Sequence, residues 1–267
     1  MSYQLNPTFR QRLNANTVLH GAIVQLSGPE SVAILSSLGF DWLWLDMEHT
    51  AHDISWLIHA LDACAPECAP LVRIPDLSNL WIKKALDAGA AGIICPQVHS
   101  AQMAETLVAY CKYPQDAKFL SGKGLRSAGP LRAAGYGTRA LQSTLAEANQ
   151  SVCVLPQIES SEGVAAIDEI LAVDGVDGVL LGPLDLSASL CVLGQMDHPR
   201  VLDALETVKR ACKNAGKACG LYCANPAQQL KAFTEQGITL PVLGTDVGLL
   251  GSAAKAVLAQ AHGALAL

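Results

Sequence analysis

Four acids, an imidazole and a guanidinium close short apolar runs along this chain, and their types set the chemistry open to it. Asp46, Glu48 and His49 end the run in WLDMEHTAHD, Arg73 ends LVRI, Gln157 and Glu159 end VLPQIE, and Asp185 follows VLLGP. Glu159 and Asp185 finish consecutive runs, so in a closed sheet their carboxylates are neighbours, which repel unless a proton or a cation lies between them. Oxygen-only ligation with open positions suits Mg2+ or Mn2+. The same two acids would also serve as helix N-caps or as a glycosidase pair. A neutral His49 beside anionic neighbours has the makings of a general base, and equally of a loop histidine bonded to its surroundings. Arg73 lies in an apolar run. Its guanidinium must therefore pair with a structural acid or face a pocket, where it would stabilise an enolate or a carboxylate. No lysine falls at the end of a run, which argues against imine chemistry. The segment GKGLRS lacks the spacing of a phosphate loop, and no Gly-rich dinucleotide fingerprint follows the first run.

These groups need a frame that brings the ends of separate runs to one rim. Eight runs are continuously rather than alternately apolar, as parallel strands buried on both faces are: 20–26, 40–46, 69–74, 91–97, 151–159, 176–183, 218–223 and 238–244. Helix-length amphipathic segments separate most of them. Eight strands and their helices in ~250 residues predict an α/β chain folded as a (β/α)8 TIM barrel, a single domain over 1–267; a doubly wound sheet is the alternative. A barrel does its chemistry at the C-terminal strand ends, which is where the acids, His49 and Arg73 stand. Asp53 is placed to N-cap a helix whose apolar face is Ile54, Leu57, Ile58 and Leu61. A second helix runs from Ser78 to a left-handed exit at Gly89, and Ser160 and Ser161 precede a third. Residues 112–150 break the rhythm, and the Gly-, Ser- and Lys-rich part around 112–138 reads as a long functional or interfacial loop insertion.

Composition narrows the classes further. With 51% hydrophobic and 16% charged residues the chain is no disordered segment. A net charge of −6 and 5% aromatics argue against nucleic acid as a partner. No apolar run approaches the ~18–20 residues of a membrane span, and MSYQLNPTFRQRLNAN lacks the apolar core of a secretory signal, so a cytoplasmic location is expected. The nine cysteines are irregularly spaced and are expected as reduced, mostly buried thiols.

The ordered series GFDWLWLDMEH, APLVRIP, ALDAGAAGIICPQV, CVLPQIES, GVDGVLLGPLDLS and LGTD resembles the HpcH/HpaI family from about residue 18 onward. That family comprises class II pyruvate aldolases acting on 2-keto-3-deoxy sugar acids and 4-hydroxy-2-oxo-diacids. The resemblance implies that His49 is the proton acceptor, that Arg73 stabilises the enolate-like transition state, and that Glu159 and Asp185 bind a divalent metal, Mg2+ or Mn2+ with Co2+ as a further candidate. It implies that Gln157 and the backbone of Leu184 contact substrate, and that Asp87 raises the basicity of the histidine. Asp87 would fall at the C-terminal end of a helix running away from the rim. It would therefore act indirectly or across a subunit boundary, and Asp46 is a rival partner for His49. The resemblance also implies a homo-oligomer, a hexamer built as a trimer of dimers with exchanged C-terminal helices; the Ala-rich LLGSAAKAVLAQAHGALAL suits close helix packing.

Two departures stand out. Met47 occupies a position where the family has Gly, and its YPP-G-x-RG segment is stretched to KYPQDAKFLSGKGLRS, with Ser127 after Arg126. That loop tends to lie near the family's site, so substrate size is what it bears on. The leading expectation is an aldehyde-lyase that cleaves a 4-hydroxy-2-oxo acid to pyruvate and an aldehyde. The alternatives are an enolate-forming lyase acting on an acyl-CoA ester or oxaloacetate, favoured by Lys118, Lys123 and Arg126, and a catalytically silent barrel that binds ligands.

Overall fold

The computed structural model describes residues 7–114, 124–130 and 132–265. Eight parallel strands close into a barrel in sequence order: β1 (Gly21–Val24), β2 (Trp42–Asp46), β3 (Ala69–Arg73), β4 (Gly92–Cys95), β5 (Cys153–Ile158), β6 (Gly178–Leu181), β7 (Ala218–Tyr222) and β8 (Leu240–Thr245). All eight apolar runs are strands, and the doubly wound alternative is excluded by the pairing of β1 with β8. The helices are α1 (Pro7–Asn14), α2 (Glu30–Ser37), α3 (Ile54–Ala63), α4 (Asn79–Ala88), α5 (Ala101–Cys111), α6 (Leu141–Ser151), α7 (Ser161–Ala165), α8 (Ile167–Ala172), α9 (Pro183–Ser189), α10 (Pro199–Ala215), α11 (Pro226–Glu235) and α12 (Asp246–Leu265).

Strand alternation divides the core in two. Trp42, Trp44, Leu71, Ile94, Leu155 and Leu180 fill the barrel interior. Their chain neighbours Leu43, Leu45, Val72, Ile93, Val154 and Val179 pack outward under the helices. Phe9 and Leu13 of α1 join the inner cluster. Trp42 lies so close to Gly21 that any Cβ there would overlap its indole, and its Nε1 donates to the carbonyl of Leu19 at 2.9 Å.

Capping follows the residue types. The side chains of Asp53, Ser78 and Ser160 accept from Trp56, Trp81 and Gly163 at the starts of α3, α4 and α7, and Gly89 closes α4 at φ 111°. One stretch departs from expectation. Residues 141–151, inside the segment that reads as irregular, form α6, whose buried side chains are Thr144, Ala148, Asn149 and Ser151. A helix that buries polar groups carries no apolar periodicity to reveal it. Asn149 exchanges two hydrogen bonds with the backbone of Tyr113, and buried Lys112 donates to the carbonyls of Asn149 and Val152. The insertion around 112–138 lies partly outside the described residues. All nine cysteines are free thiols. Among the described residues no helix is long and apolar enough to cross a membrane.

Candidate active site

The site begins at the end of β2. Asp46 is fully buried, and its two carboxylate oxygens take five donors. Arg73 gives two, Nε at 2.9 Å and Nη2 at 2.7 Å, because the β2–β3 register sets Asp46 opposite Arg73. Gln25 Nε2 adds a third at 3.1 Å, and the backbone N–H groups of Glu48 and His49 supply the others at 3.1 and 3.4 Å. Burial alone would raise the Asp46 pKa; the hydrogen bonds and charge of Arg73, with Gln25 and the Glu48 amide, outweigh it and hold the group below the ordinary carboxylate value.

That turn directs the next two side chains to the rim. Glu48 Oε2 lies 3.1 Å from Arg73 Nη1 and 3.7 Å from His49 Nε2, so one carboxylate stands between the guanidinium and the imidazole. His49 is 59% exposed, open to a ligand at the barrel mouth. Asp46 therefore meets His49 through the backbone, and Glu48, which the sequence places at the rim without a role of its own, is the acid beside the imidazole. His52 is turned away from the mouth, with its ring stacked on Trp56 and Nδ1 3.1 Å from the Asp46 carbonyl.

Glu159 follows β5 and is 2% exposed. Its Oε1 accepts the backbone N–H of Gln97 at 2.7 Å, and its Oε2 accepts from Gln157 Nε2. Gln97 sits at φ 56°, a left-handed conformation uncommon outside Gly, which turns its N–H onto the carboxylate. A Cβ on Gly182 would overlap Glu159 Oε2, so glycine at the end of β6 leaves the room this carboxylate occupies. Ser160, not Glu159, caps α7. Asp185 belongs to the first turn of α9 rather than to the end of β6, with Leu184 just before it.

Electrostatics ties the three acids together. Burial pushes the Glu159 carboxyl up to about 7; the Gln97 amide opposes this, and the nearby charges of Glu48 and Asp185 add to it. Glu48 is raised as well, by burial and by Asp46 and Asp185, against the pull of Arg73 and His49. Gln157 Oε1 is a buried acceptor without a hydrogen-bond donor, and Glu48 Oε2 has the ion pair with Arg73 but no hydrogen bond of good geometry. A hard divalent cation fits the buried Glu159 carboxylate, to which Glu48 and Asp185 add negative charge, with the open amide oxygen of Gln157 beside it. Glu159 and Asp185 are the residues that could hold it. Among the described residues no compact group of three His, Cys, Asp or Glu is present.

Asp87 is not part of this cluster. It stands near the C-terminal end of α4, which in a (β/α)8 barrel is the end opposite the rim, and its carboxylate takes Arg126 Nη2 at 3.2 Å. Arg126 is buried with its guanidinium 4.4 Å from the Tyr113 ring centre. Residues 124–126, tied to the C-terminal ends of α4 and α5, therefore lie away from the mouth of their own barrel. Of the basic residues that would favour a CoA ester, Lys118 and Lys123 lie outside the described residues and Arg126 is engaged with Asp87.

Sequence and structure comparisons agree with one another. The profile of the HpcH/HpaI aldolase/citrate lyase family matches residues 21–253. The chain is 33% identical over 254 residues to the hydroxypyruvate/pyruvate aldolase of Roseovarius nubinhibens, covering 95% of this chain and 96% of the relative. It is 35% identical over 254 residues to the 4-hydroxy-2-oxo-heptane-1,7-dioate aldolase of Shigella sonnei, covering 95% and 94%. The crystal structure of an HpcH/HpaI aldolase/citrate lyase family protein from Burkholderia cenocepacia superposes with a TM-score of 0.90 at 34% identity, covering 96% of this chain and all of that one.

Proposed function

The chain belongs to the HpcH/HpaI aldolase/citrate lyase family, and from that premise we propose that it is a class II aldolase reversibly cleaving a 4-hydroxy-2-oxo acid to pyruvate and an aldehyde. The observation that carries this reading is the meeting, at one rim, of an exposed imidazole, a buried guanidinium and a buried carboxylate, Glu159, whose charged neighbours are other acids. Glu159 and Asp185 hold the cation, Mg2+ or Mn2+ with Co2+ as a further candidate. When bound, it supplies the Lewis acidity that draws charge from the 2-oxo group.

The chain's own residues account for the rest. His49, open to the mouth, takes the proton of the C4 hydroxyl, and Glu48 beside Nε2 stabilises the imidazolium that results. As the C3–C4 bond breaks, negative charge develops on the pyruvate enolate. Arg73, preset by its two bonds to Asp46, meets it without reorganising, through N–H groups that Asp46 does not use. Gln157, whose Oε1 has no donor, and the backbone at Leu184 face the oxo-acid end of the substrate.

The working enzyme is a homo-oligomer with exchanged C-terminal helices, proposed here as a hexamer. Support comes from α12, a 20-residue helix exposed from Val247 to the last side chain described, with Leu250 at 63%, Val257 at 65% and Leu258 at 57%. An apolar helix with so little cover from its own barrel needs a partner surface. Across such an assembly Asp87, remote from His49 of its own chain, serves the site of another subunit.

The test is metal-dependent deuterium exchange into the methyl group of pyruvate by chelated and reconstituted protein. Exchange that requires the divalent ion, and is lost in Asp185→Ala, is expected. Absence of exchange with every divalent metal tried would favour a silent barrel.

A further inference from the structure

Trp44 stands where a barrel interior ordinarily takes a branched aliphatic side chain, and it is 5% exposed. It points inward from β2, stacked on Trp42 with ring centres 6.5 Å apart and planes 23° from parallel. Its Nε1–H is buried without a hydrogen-bond partner, a desolvation penalty that Leu or Phe would avoid. What the ring touches instead is the guanidinium. Arg73 Cζ lies 4.8 Å from the indole centre, inside the ~6 Å range of a cation–π contact, for which Trp is the strongest aromatic partner. The register explains the meeting: Asp46 pairs with Arg73 and Trp44 with Leu71, so Arg73 bends back over the inward side chain two residues before Asp46.

Arg73 is thereby held on three sides. The Nε/Nη2 edge goes to Asp46, Nη1 goes to Glu48, and one face goes to Trp44. The two carboxylates hold the guanidinium by its edges; a flat aromatic under one face resists the tilt out of that plane that remains. We propose that Trp44 is a positioning residue for the oxo-acid reaction, the floor that sets the tilt of the Arg73 guanidinium and so the direction in which its N–H groups meet the developing enolate. This rests on the aldolase reading, since the benefit of a fixed tilt lies in binding charge that appears during the reaction.

A double-mutant cycle on metal-dependent pyruvate exchange tests it, with Trp44→Met, Trp44→Phe and Arg73→Lys. Trp44→Met fills the space without a π face and is expected to lower kcat by ~10-fold with KM within ~3-fold, the size of a desolvated cation–π contact. Trp44→Phe keeps a face and should stay within ~3-fold of wild type. Because Trp44 acts through Arg73, the Trp44→Met/Arg73→Lys double variant should be no slower than Arg73→Lys alone, within ~2-fold. Multiplicative losses, or Trp44→Phe as slow as Trp44→Met, would overturn the proposal. A second readout does not need Trp44→Met to fold or the enzyme to turn over. The emission of Trp44, taken as wild type minus Trp44→Phe, should change on Arg73→Ala. An unchanged emission counts against Trp44 whatever the enzyme does, whereas a changed emission with no exchange under any metal counts against the aldolase reading alone.

Discussion

Glu159 offers the sharpest perturbation, because its environment makes the metal-free protein sensitive to pH in a defined direction. Burial in the company of Glu48 and Asp185 pushes its carboxyl up to about 7 from an ordinary 4.5. With 2% exposure, little solvent screening weakens the effect. A group that binds its proton more tightly folded than unfolded contributes stability that is complete below the unfolded pKa and is lost as pH rises through the folded one. The window thus runs from about 4.5 to about 7, and the contribution lost across it is roughly 3 kcal/mol. At ~2–4 °C per kcal/mol for a chain this long, the titration of Glu159 by itself should lower the melting point of the metal-free protein by ~6–12 °C between pH 4.5 and pH 8. The assay is thermal melting of chelated wild type and Glu159→Gln from pH 4.5 to 8.5, with and without Mn2+. Gln carries no titrating proton, so the difference between the two proteins isolates Glu159. Wild type should lose stability relative to Glu159→Gln as pH rises, and Mn2+ should restore it above pH 7, where the ionised carboxylate gains its counter-charge. A wild-type minus variant difference that is flat across the window, or that rises with pH, refutes the reasoning.

Three further outcomes are expected. Asp46→Asn removes the charge from a buried bidentate pair and leaves Arg73 leaning on Glu48; unfolding should be easier by ~3–5 kcal/mol, seen as a melting point lower by ~10 °C, and a drop under ~2 °C would contradict the pairing. Gly182→Ala places a methyl group against the Glu159 carboxylate and should weaken Mn2+ binding ~10–100-fold by titration calorimetry, with unchanged affinity arguing that Glu159 is no ligand. Truncation after Asp246 keeps the carboxylate that accepts the Gln25 and Leu26 amides but removes the exposed helix. Its mass by light scattering should fall to that of a monomer, and an unchanged oligomer would exclude helix exchange.

Much of the frame is legible in sequence for a physical reason. A parallel strand sandwiched between a barrel interior and its helices must be apolar on both faces, so each of the eight declares itself as a continuous run. Caps at Asp53, Ser78 and Ser160 are local chemistry and read equally well. The failures are non-local. Helix α6 buries Thr144, Asn149 and Ser151, and Asn149 bonds the distant backbone of Tyr113, so the segment looks like a loop until that backbone is in place. Asp185 appears to end a strand, but the chain has already turned into α9 at Pro183.

The sequence by itself determined the barrel and the set of polar groups at its rim, because strand burial and residue type are properties of short segments. Closure of the barrel decided what those groups do to one another. It gave Asp46 to Arg73 rather than to the His49 ring, inserted Glu48 between guanidinium and imidazole, laid Trp44 under Arg73, and left Asp87 away from His49. Distances between ends of different strands, and the fields that depend on them, exist only once the sheet has closed.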